Sequence, residues 1–578
     1  MVIKTGTRIP GQTVSIYLIV FLLALAVRIV VLVFIDEPIL FFKYPFFAEK
    51  LATGQALGQR LLDLSPFYLY FLTIFAKLFG THWLWVKGIQ AVMGSLTCSL
   101  LLALGIRVVG YRAGLIAVLL YALYGNLAIL ESTLEPTVFV IFFNLCAVFF
   151  LYRARDDLAK GDPALTVVWA AGLMTGLSVI TKPSFLLFIP LAVVWLFFDI
   201  GDSIDFWKRC RVIAGFVAVA LLVVAPVTLR NYVLFEDLIL VTADAGKVFY
   251  HGNAKGATAV QWTGLPDGGF AEENQAEPDS AHVLFRQTAS RLSGRSLSPA
   301  ESSRFWFKRA LADIRSDPKT YFQRLFGKLV FFFHDYEMHF IATVYKEYKA
   351  SLGLPFVRFG LLAPFALLGM ALALRRMKEL FLVYGMVLIC LVSGLIFIVQ
   401  SRYRSPAVPY LCLLAGFAIY RIWILFRSQK YRAGIISLAA GGVLYLVLHF
   451  SLADQIRQVD RWQTATKIHY QLGARPLFQN GRYDQAITEL DACLSLAPDF
   501  APALNLRGKS RAVLGKYDEA KSDFLRVIAL TPDLAQGYKN LGFVLLLQGD
   551  RATARTMLEN AQKLSPGDTK VKKALTGL

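Results

Sequence analysis

Ser15–Ile35 reads SIYLIVFLLALAVRIVVLVFI and stops at Asp36-Glu37-Pro38. A helix of that length crosses a hydrocarbon core of ~30 Å, so the run is read as a membrane span. Asp36 and Glu37 then stand where lipid gives way to water. A carboxylate at that depth is half desolvated and can act as a base or hold a cation. Lys4 and Arg8 precede the run and no small-residue cleavage site follows it, which reads as a retained first span.

The rest of the composition agrees. Of the 578 residues, 56% are hydrophobic and only 17% charged, with a mean hydropathy of +0.54. Soluble domains run nearer ~25% charged, so the chain belongs among membrane proteins. Its net charge of +20 does not point to nucleic acid. Much of the excess lies in short loops between apolar runs, where insertion rules and anionic lipid account for it, and no nucleic-acid-binding signature accompanies it. The six cysteines are scattered and form no C-x-x-C, which argues against a disulfide framework or a thiolate metal site.

Apolar runs predict about eleven spans, near 15–35, 83–106, 113–130, 136–152, 164–181, 184–200, 211–229, 353–374, 379–399, 406–426 and 432–450. The basic loops Arg107/Arg112, Arg153/Arg155/Lys160, Lys208/Arg209/Arg211, Arg375/Arg376/Lys378 and Arg427/Lys430/Arg432 fall on the side of Lys4 and Arg8. The positive-inside rule makes that side cytoplasmic. Asp36, the segment 230–352 and the tail are then extracytoplasmic, as in a bacterial inner membrane or its equivalent. The aromatic stretch 38–82 is too broken by Pro and charge to span, and is expected to form helices lying in the interface. Gly264–Asp279 reads as a surface loop, and Pro299–Phe333 as helix interrupted at Pro318.

After Ser451 the hydropathy collapses and a repeat begins. Gly481/Gly515/Gly549, Ala486/Ala520/Ala554 and Pro498/Pro532/Pro566 all recur at 34 residues. Gly at an inter-helix turn, Ala where two helices touch and Pro at the repeat end make the tetratricopeptide pattern. The expected architecture is all-α. A polytopic body covers 1–450, a linker 451–466, and a solenoid of three repeats 467–578. Such arrays bind polypeptide and do no chemistry.

Polar residues gather at the predicted outer ends of spans: Glu131 and Glu135, Lys182, Arg230-Asn231, Glu337, and Gln400-Ser401-Arg402-Tyr403-Arg404. Carboxylates and arginines together at one interface suit a lipid-linked phosphate. Arg402 and Arg404, with Tyr403 facing away between them, could offer guanidinium forks to it, and Arg230 and Lys182 could add charge. A carboxylate such as Asp36 could deprotonate an acceptor hydroxyl attacking the sugar carbon. All these groups are expected to meet in one outer pocket. A divalent ion is compatible with this chemistry, but the spacing of His251, His334 and His339 matches no ligand motif.

Over residues 15–430 the chain resembles the GT-C polyprenyl-phosphate-sugar glycosyltransferases of the protein O-mannosyltransferase and aminoarabinose-transferase type. The carriers are Asp36-Glu37, Ser65-Pro66-Phe67-Tyr68, Leu130-Glu131…Leu134-Glu135-Pro136, Thr181-Lys182-Pro183, Arg230-Asn231-Tyr232, Tyr250-His251-Gly252-Asn253, Tyr336-Glu337 and Ser401-Arg402-Tyr403-Arg404-Ser405-Pro406. The resemblance implies Asp36 as catalytic base, with Glu37, Glu131 or Glu135 as alternatives. It implies Arg402 and Arg404 near the donor phosphate, beside which the residue reading sets Lys182 and Arg230, with Tyr44, Asn231, Asn253, Glu337 and Tyr403 as further site candidates. Two departures stand out. No acid directly precedes Tyr44-Pro45-Phe46-Phe47-Ala48, and Lys182 occupies a place where arginine is common. The repeat array suggests Ser or Thr of a protein as acceptor. A glycolipid or glycan acceptor is the second reading, and a catalytically degenerate scaffold binding protein partners the third. A transporter fits less well, because the acids lie at span ends and not at the midplane.

Overall fold

The computed structural model describes residues 13–34, 43–161, 164–199, 205–261, 281–337, 356–532 and 534–578. Asp36, Glu37, His339 and the Gly264–Asp279 patch lie outside the described residues. The described chain is helical throughout, and its one β contact is an isolated bridge between Tyr124 and Val357.

The membrane-type body begins with α1 (Thr13–Phe34), α2 (Lys43–Ala52), α3 (Pro66–Phe79), α4 (Leu84–Val108), α5 (Tyr111–Ala122), α6 (Gly125–Ser132) and α7 (Thr137–Ala159). It continues with α8 (Leu165–Thr181), α9 (Phe188–Asp199), α10 (Phe206–Phe235), α11 (Ala245–Asn253), α12 (Ala281–Ser293), α13 (Pro299–Ser316) and α14 (Pro318–Phe333). α15 (Phe359–Leu372), α16 (Phe381–Ile396), α17 (Val408–Arg427) and α18 (Tyr431–Phe450) complete it. Six described stretches are long and apolar enough to cross a membrane: α1, α4, α7, α10, α18 and the continuous Ser401–Arg427 that contains α17. Other expected spans are shorter apolar helices, among them α8, α15 and α16.

Small residues let these helices approach closely. A Cβ on Gly105 would stand 2.9 Å from Cα of Gly114, so α4 and α5 cross backbone to backbone. Gly172 and Gly176, one turn apart on α8, face Phe216 O and Val223 of α10 in the same way. In lipid, where burial of apolar surface drives nothing, such close packing is what holds helices together.

The expected span 113–130 is not one helix. It breaks at Leu123-Tyr124, where Tyr124 turns to extended backbone, and resumes as α6, every residue of which is buried. The break is held from outside, because Val357 N donates to Leu123 O at 2.8 Å. Of the stretch 38–82, the described residues from Lys43 onward form α2 and α3, whose inner faces pack in an aromatic core with Tyr44, Phe67, Tyr68, Phe71, Phe139 and Phe143.

The tail is a separate compact unit from Ala453 onward. Residues 451–466, expected as a linker, are largely helical: Ala453–Gln463 runs directly into a π-helical stretch, Thr464–Ala474. Helix pairs then repeat as Tyr483–Leu496, Ala501–Val513, Tyr517–Leu530, Ala535–Leu547 and Arg551–Leu564, with Thr569–Thr576 at the end. Gly481, Gly515 and Gly549 have φ of 73°, 76° and 86°, the left-handed region that closes each inter-helix turn. Ala486, Ala520 and Ala554 are fully buried where the helices meet.

Candidate active site

The group begins with a turn that the body bolts in place. Between α6 and α7 the chain passes through Thr133-Leu134-Glu135-Pro136. Gln90, a lone amide on apolar α4, donates through Nε2 to Glu131 O at 2.8 Å and Thr133 O at 2.7 Å. Tyr68 in turn donates its hydroxyl to Gln90 Oε1 at 2.6 Å. With its backbone fixed, Glu135 carries its carboxylate, 5% exposed, to within 3.2 Å of Arg402 Nη1.

Lys182 arrives from a second turn. Pro183 disfavours helical backbone in the residue before it, so α8 ends at Thr181 and Lys182 is extended, at φ −147°, ψ 103°. Its Nζ donates to Arg402 O at 3.1 Å and lies 4.4 Å from the centre of the Tyr403 ring. Burial pushes the ammonium down to about 7; the Arg402 charge pushes the same way, and Glu135 opposes it.

Arg402 comes from the third turn, after α16. Its Nε donates to Gln400 Oε1 at 3.1 Å, and its guanidinium lies 5.1 Å from the Tyr403 ring. A third of the side chain remains exposed. Tyr403 does not face away, as expected, but lies against both cations. Tyr44 borders the group. Its hydroxyl accepts from Ser65 N at 3.2 Å and its ring meets Tyr68 edge-on at 5.1 Å. Burial drives the phenol up to about 12, with the nearby Glu135 carboxylate adding to that and Lys43 and Arg402 opposing it.

Two cations thus lie side by side, Arg402 paired with Glu135 and Lys182 on the Arg402 carbonyl, with the Tyr403 ring against both. That arrangement favours an anion with a polar, ring-stacking neighbour, as a sugar phosphate has.

The other expected site residues go elsewhere. Glu131 binds Arg28 of α1 through both carboxylate oxygens, at 2.5 and 3.2 Å, and each side chain is 2% exposed. Gly94 of α4 makes the room, since a Cβ there would overlap Glu131 Oε2. Glu131 is therefore an internal lock between α1 and α6 and not part of the Lys182–Arg402 group. Arg404 parts from Arg402. It is 2% exposed, pairs with Glu337 at 2.7 Å and donates to His334 O at 2.7 Å, with its guanidinium 3.7 Å from the Phe359 ring. Glu337 also accepts from Tyr124 at 2.6 Å. Arg404 and Glu337 thus tie the break before α6 to the turn after α16, and neither cation nor acid is open to a phosphate.

Arg230 donates to Tyr70 Oη at 2.8 Å and to Asn231 Oδ1 at 2.6 Å, while Asn231 caps Ile239 O and Val241 O. These two shape the exit from α10 and do not join the Glu135 group. Asn253 is buried at the end of α11 against the end of α16. The ring of His334 is engaged by Tyr336 N and His449 O. Among the described residues no three His, Cys, Asp or Glu side chains converge as a metal set. The sequence reading missed Arg28 and Gln90, although a charge and an amide inside apolar runs were the available signals.

Comparison with known proteins adds the following. Residues 63–229 match the family model described as dolichyl-phosphate-mannose-protein mannosyltransferase, and residues 466–500 match a tetratricopeptide repeat. No curated protein matches the chain. Among solved structures, the oligosaccharyltransferase of Archaeoglobus fulgidus in its apo form is 15% identical, with a TM-score of 0.44 over 80% of this chain and 59% of that one. The same organism's AglB, in complex with an inhibitory peptide and a dolichol-phosphate, is 14% identical, with a TM-score of 0.43 over 81% and 59%. This chain spans about three fifths of the length of those enzymes. The P58(IPK) tetratricopeptide domain matches at 13% identity and a TM-score of 0.22, over 75% of this chain and 96% of that one. The chain thus carries a segment similar to the mannosyltransferase family model within a helical body of apolar, membrane-length helices, and a tetratricopeptide tail.

Proposed function

We propose that the chain moves a sugar from a polyprenyl-phosphate donor to a Ser or Thr hydroxyl of a protein on the extracytoplasmic side. The observation that carries this is the convergence of two cations from turns 220 residues apart, Lys182 seated on the Arg402 carbonyl and Arg402 paired with the buried carboxylate of Glu135. The family match over 63–229 supports the same reading, because that stretch contains both Glu135 and Lys182.

In this reading Lys182 and Arg402 hold the donor phosphate, and their charge stabilises the lipid phosphate as it leaves. Tyr403 supplies a ring face beside them, and Glu135 orients the Arg402 fork. The acid that takes the acceptor proton comes from the first outer loop, Asp36 with Glu37 beside it. Glu131 is bound to Arg28 and Glu135 to Arg402, so neither is free to work as a base without breaking an ion pair. The tail binds the polypeptide acceptor.

The test is transfer from labelled polyprenyl-phosphate mannose, the sugar named by the family match, to Ser/Thr peptides by the purified chain in liposomes. Lys182→Met, Arg402→Lys and Asp36→Asn should each lower the rate about 10²-fold, the range for losing one group that meets transition-state charge. Wild-type rates in both Lys182→Met and Arg402→Lys would sink the donor-site reading.

A further inference from the structure

A second set of buried polar groups holds the Arg402 turn from behind. Helix α16 ends without a cap of its own: Phe397 is at φ −104°, ψ −101°, and only its N–H turns back, to Ser393 O. The carbonyls of residues 395 to 397 would be orphaned there. They are answered by two other elements. Lys328 of α14, 1% exposed, donates from Nζ to Phe397 O at 2.7 Å, Leu395 O at 3.2 Å and Asn253 Oδ1 at 3.1 Å. Asn253, also 1% exposed, donates from Nδ2 to Ile396 O at 2.7 Å. Its own carbonyl accepts from Arg324 Nη1 at 2.6 Å. Beside it, a Cβ on Gly252 would overlap Phe397 O, so the ends of α11 and α16 meet backbone to backbone.

A buried ammonium is costly unless it is well coordinated. Here it faces the carbonyl end of a helix, where the backbone partial charge is negative. The chain then runs only five residues from Phe397 to Arg402. With its root held on three consecutive carbonyls, that short turn has little freedom in how it presents the guanidinium.

We propose that Lys328 and Asn253 are positioning residues for donor binding, clamping Leu395–Phe397 so that the following turn aims Arg402 at the donor phosphate. This rests on the donor-site reading above. It assigns a working role to α11 and α14, which carry none of the groups at the site itself.

The test uses the full chain in nanodiscs, with Lys328→Met, which keeps the apolar stem, Asn253→Ala, Lys328→Arg as the conservative change, and Arg402→Lys as reference. Hydrogen exchange of residues 396–404 and transfer kinetics are read together, with exchange in α7 as the folding control. In Lys328→Met and Asn253→Ala, exchange at 396–404 should rise while α7 is unchanged. The KM for polyprenyl-phosphate mannose should increase about tenfold and kcat should fall with it, because Arg402 also meets the leaving phosphate, while the peptide KM is unaltered. Lys328→Arg should recover part of the loss. Unchanged exchange at 396–404 overturns the clamp whatever the kinetics do. So does raised exchange with a wild-type donor KM, if Arg402→Lys still raises that KM. If Lys328→Met, Asn253→Ala and Arg402→Lys all leave the donor KM unchanged although exchange rises, it is the donor-site reading that falls, and the positioning role with it.

Discussion

Lys182 is the residue through which pH reaches the site. In the free protein, burial leaves its ammonium at about 7. A bound phosphodiester favours the charged form and raises that value, so a proton is taken up on binding above neutrality. Affinity for a polyprenyl phosphodiester should be highest below pH 7. Above it, affinity should fall by up to about tenfold per pH unit until the pKa of the complex is reached. Lys182→Arg, charged at every pH of interest, should flatten the profile. Calorimetry between pH 6 and 9, in buffers of different ionisation enthalpy, reads both the affinity and the proton uptake. A flat wild-type profile, or the same decline in the arginine variant, contradicts the assignment. The residue types of the site were legible as polar groups at span ends. Their partners were not: nothing local distinguishes Arg402, with a third of its side chain exposed, from Arg404, which is 2% exposed and paired with Glu337.

At the scale of elements, two glycines show two kinds of constraint. Gly515 closes a repeat turn at φ 76°, and a Cβ there would meet nothing within 4 Å. Gly515→Ala should therefore cost about 1 kcal/mol, the strain of left-handed backbone for an L-residue, and lower the unfolding midpoint of the tail alone. Gly369 of α15 is constrained by a neighbour, since a Cβ there would overlap Leu414 O of α17. Gly369→Ala must part those two helices, at about 1–3 kcal/mol, and should lower the stability of the body. Differential scanning of the two transitions separates the cases, and a shift in the wrong transition refutes the assignment. Helix positions were readable because an apolar run of 20 residues, or a 34-residue period, writes itself into local sequence. The break at Leu123-Tyr124 was not, because it is imposed by Val357, more than 230 residues away.

For the whole molecule, body and tail are separate compact units that divide near Leu452. Ending the chain after Leu452 should leave donor binding as in the full protein and abolish transfer to protein, while free short peptides are still modified. Transfer to protein at the full rate without the tail would favour a glycolipid or glycan acceptor or an acceptor recognised by the body. The all-helical class, the membrane character, the interrupted helix at Pro318 and the repeat array all follow from composition and spacing within a few tens of residues. These properties depend on backbone hydrogen bonds and burial patterns that each segment satisfies for itself. The pairing of charges does not. Glu135 meets Arg402 across 267 positions, Glu131 turns inward to Arg28 across 103, and Lys182 reaches the Arg402 carbonyl across 220. Which acid is locked and which cation stays open was decided by tertiary packing, because a charge in a low-dielectric body takes whichever partner the neighbouring helices bring within reach.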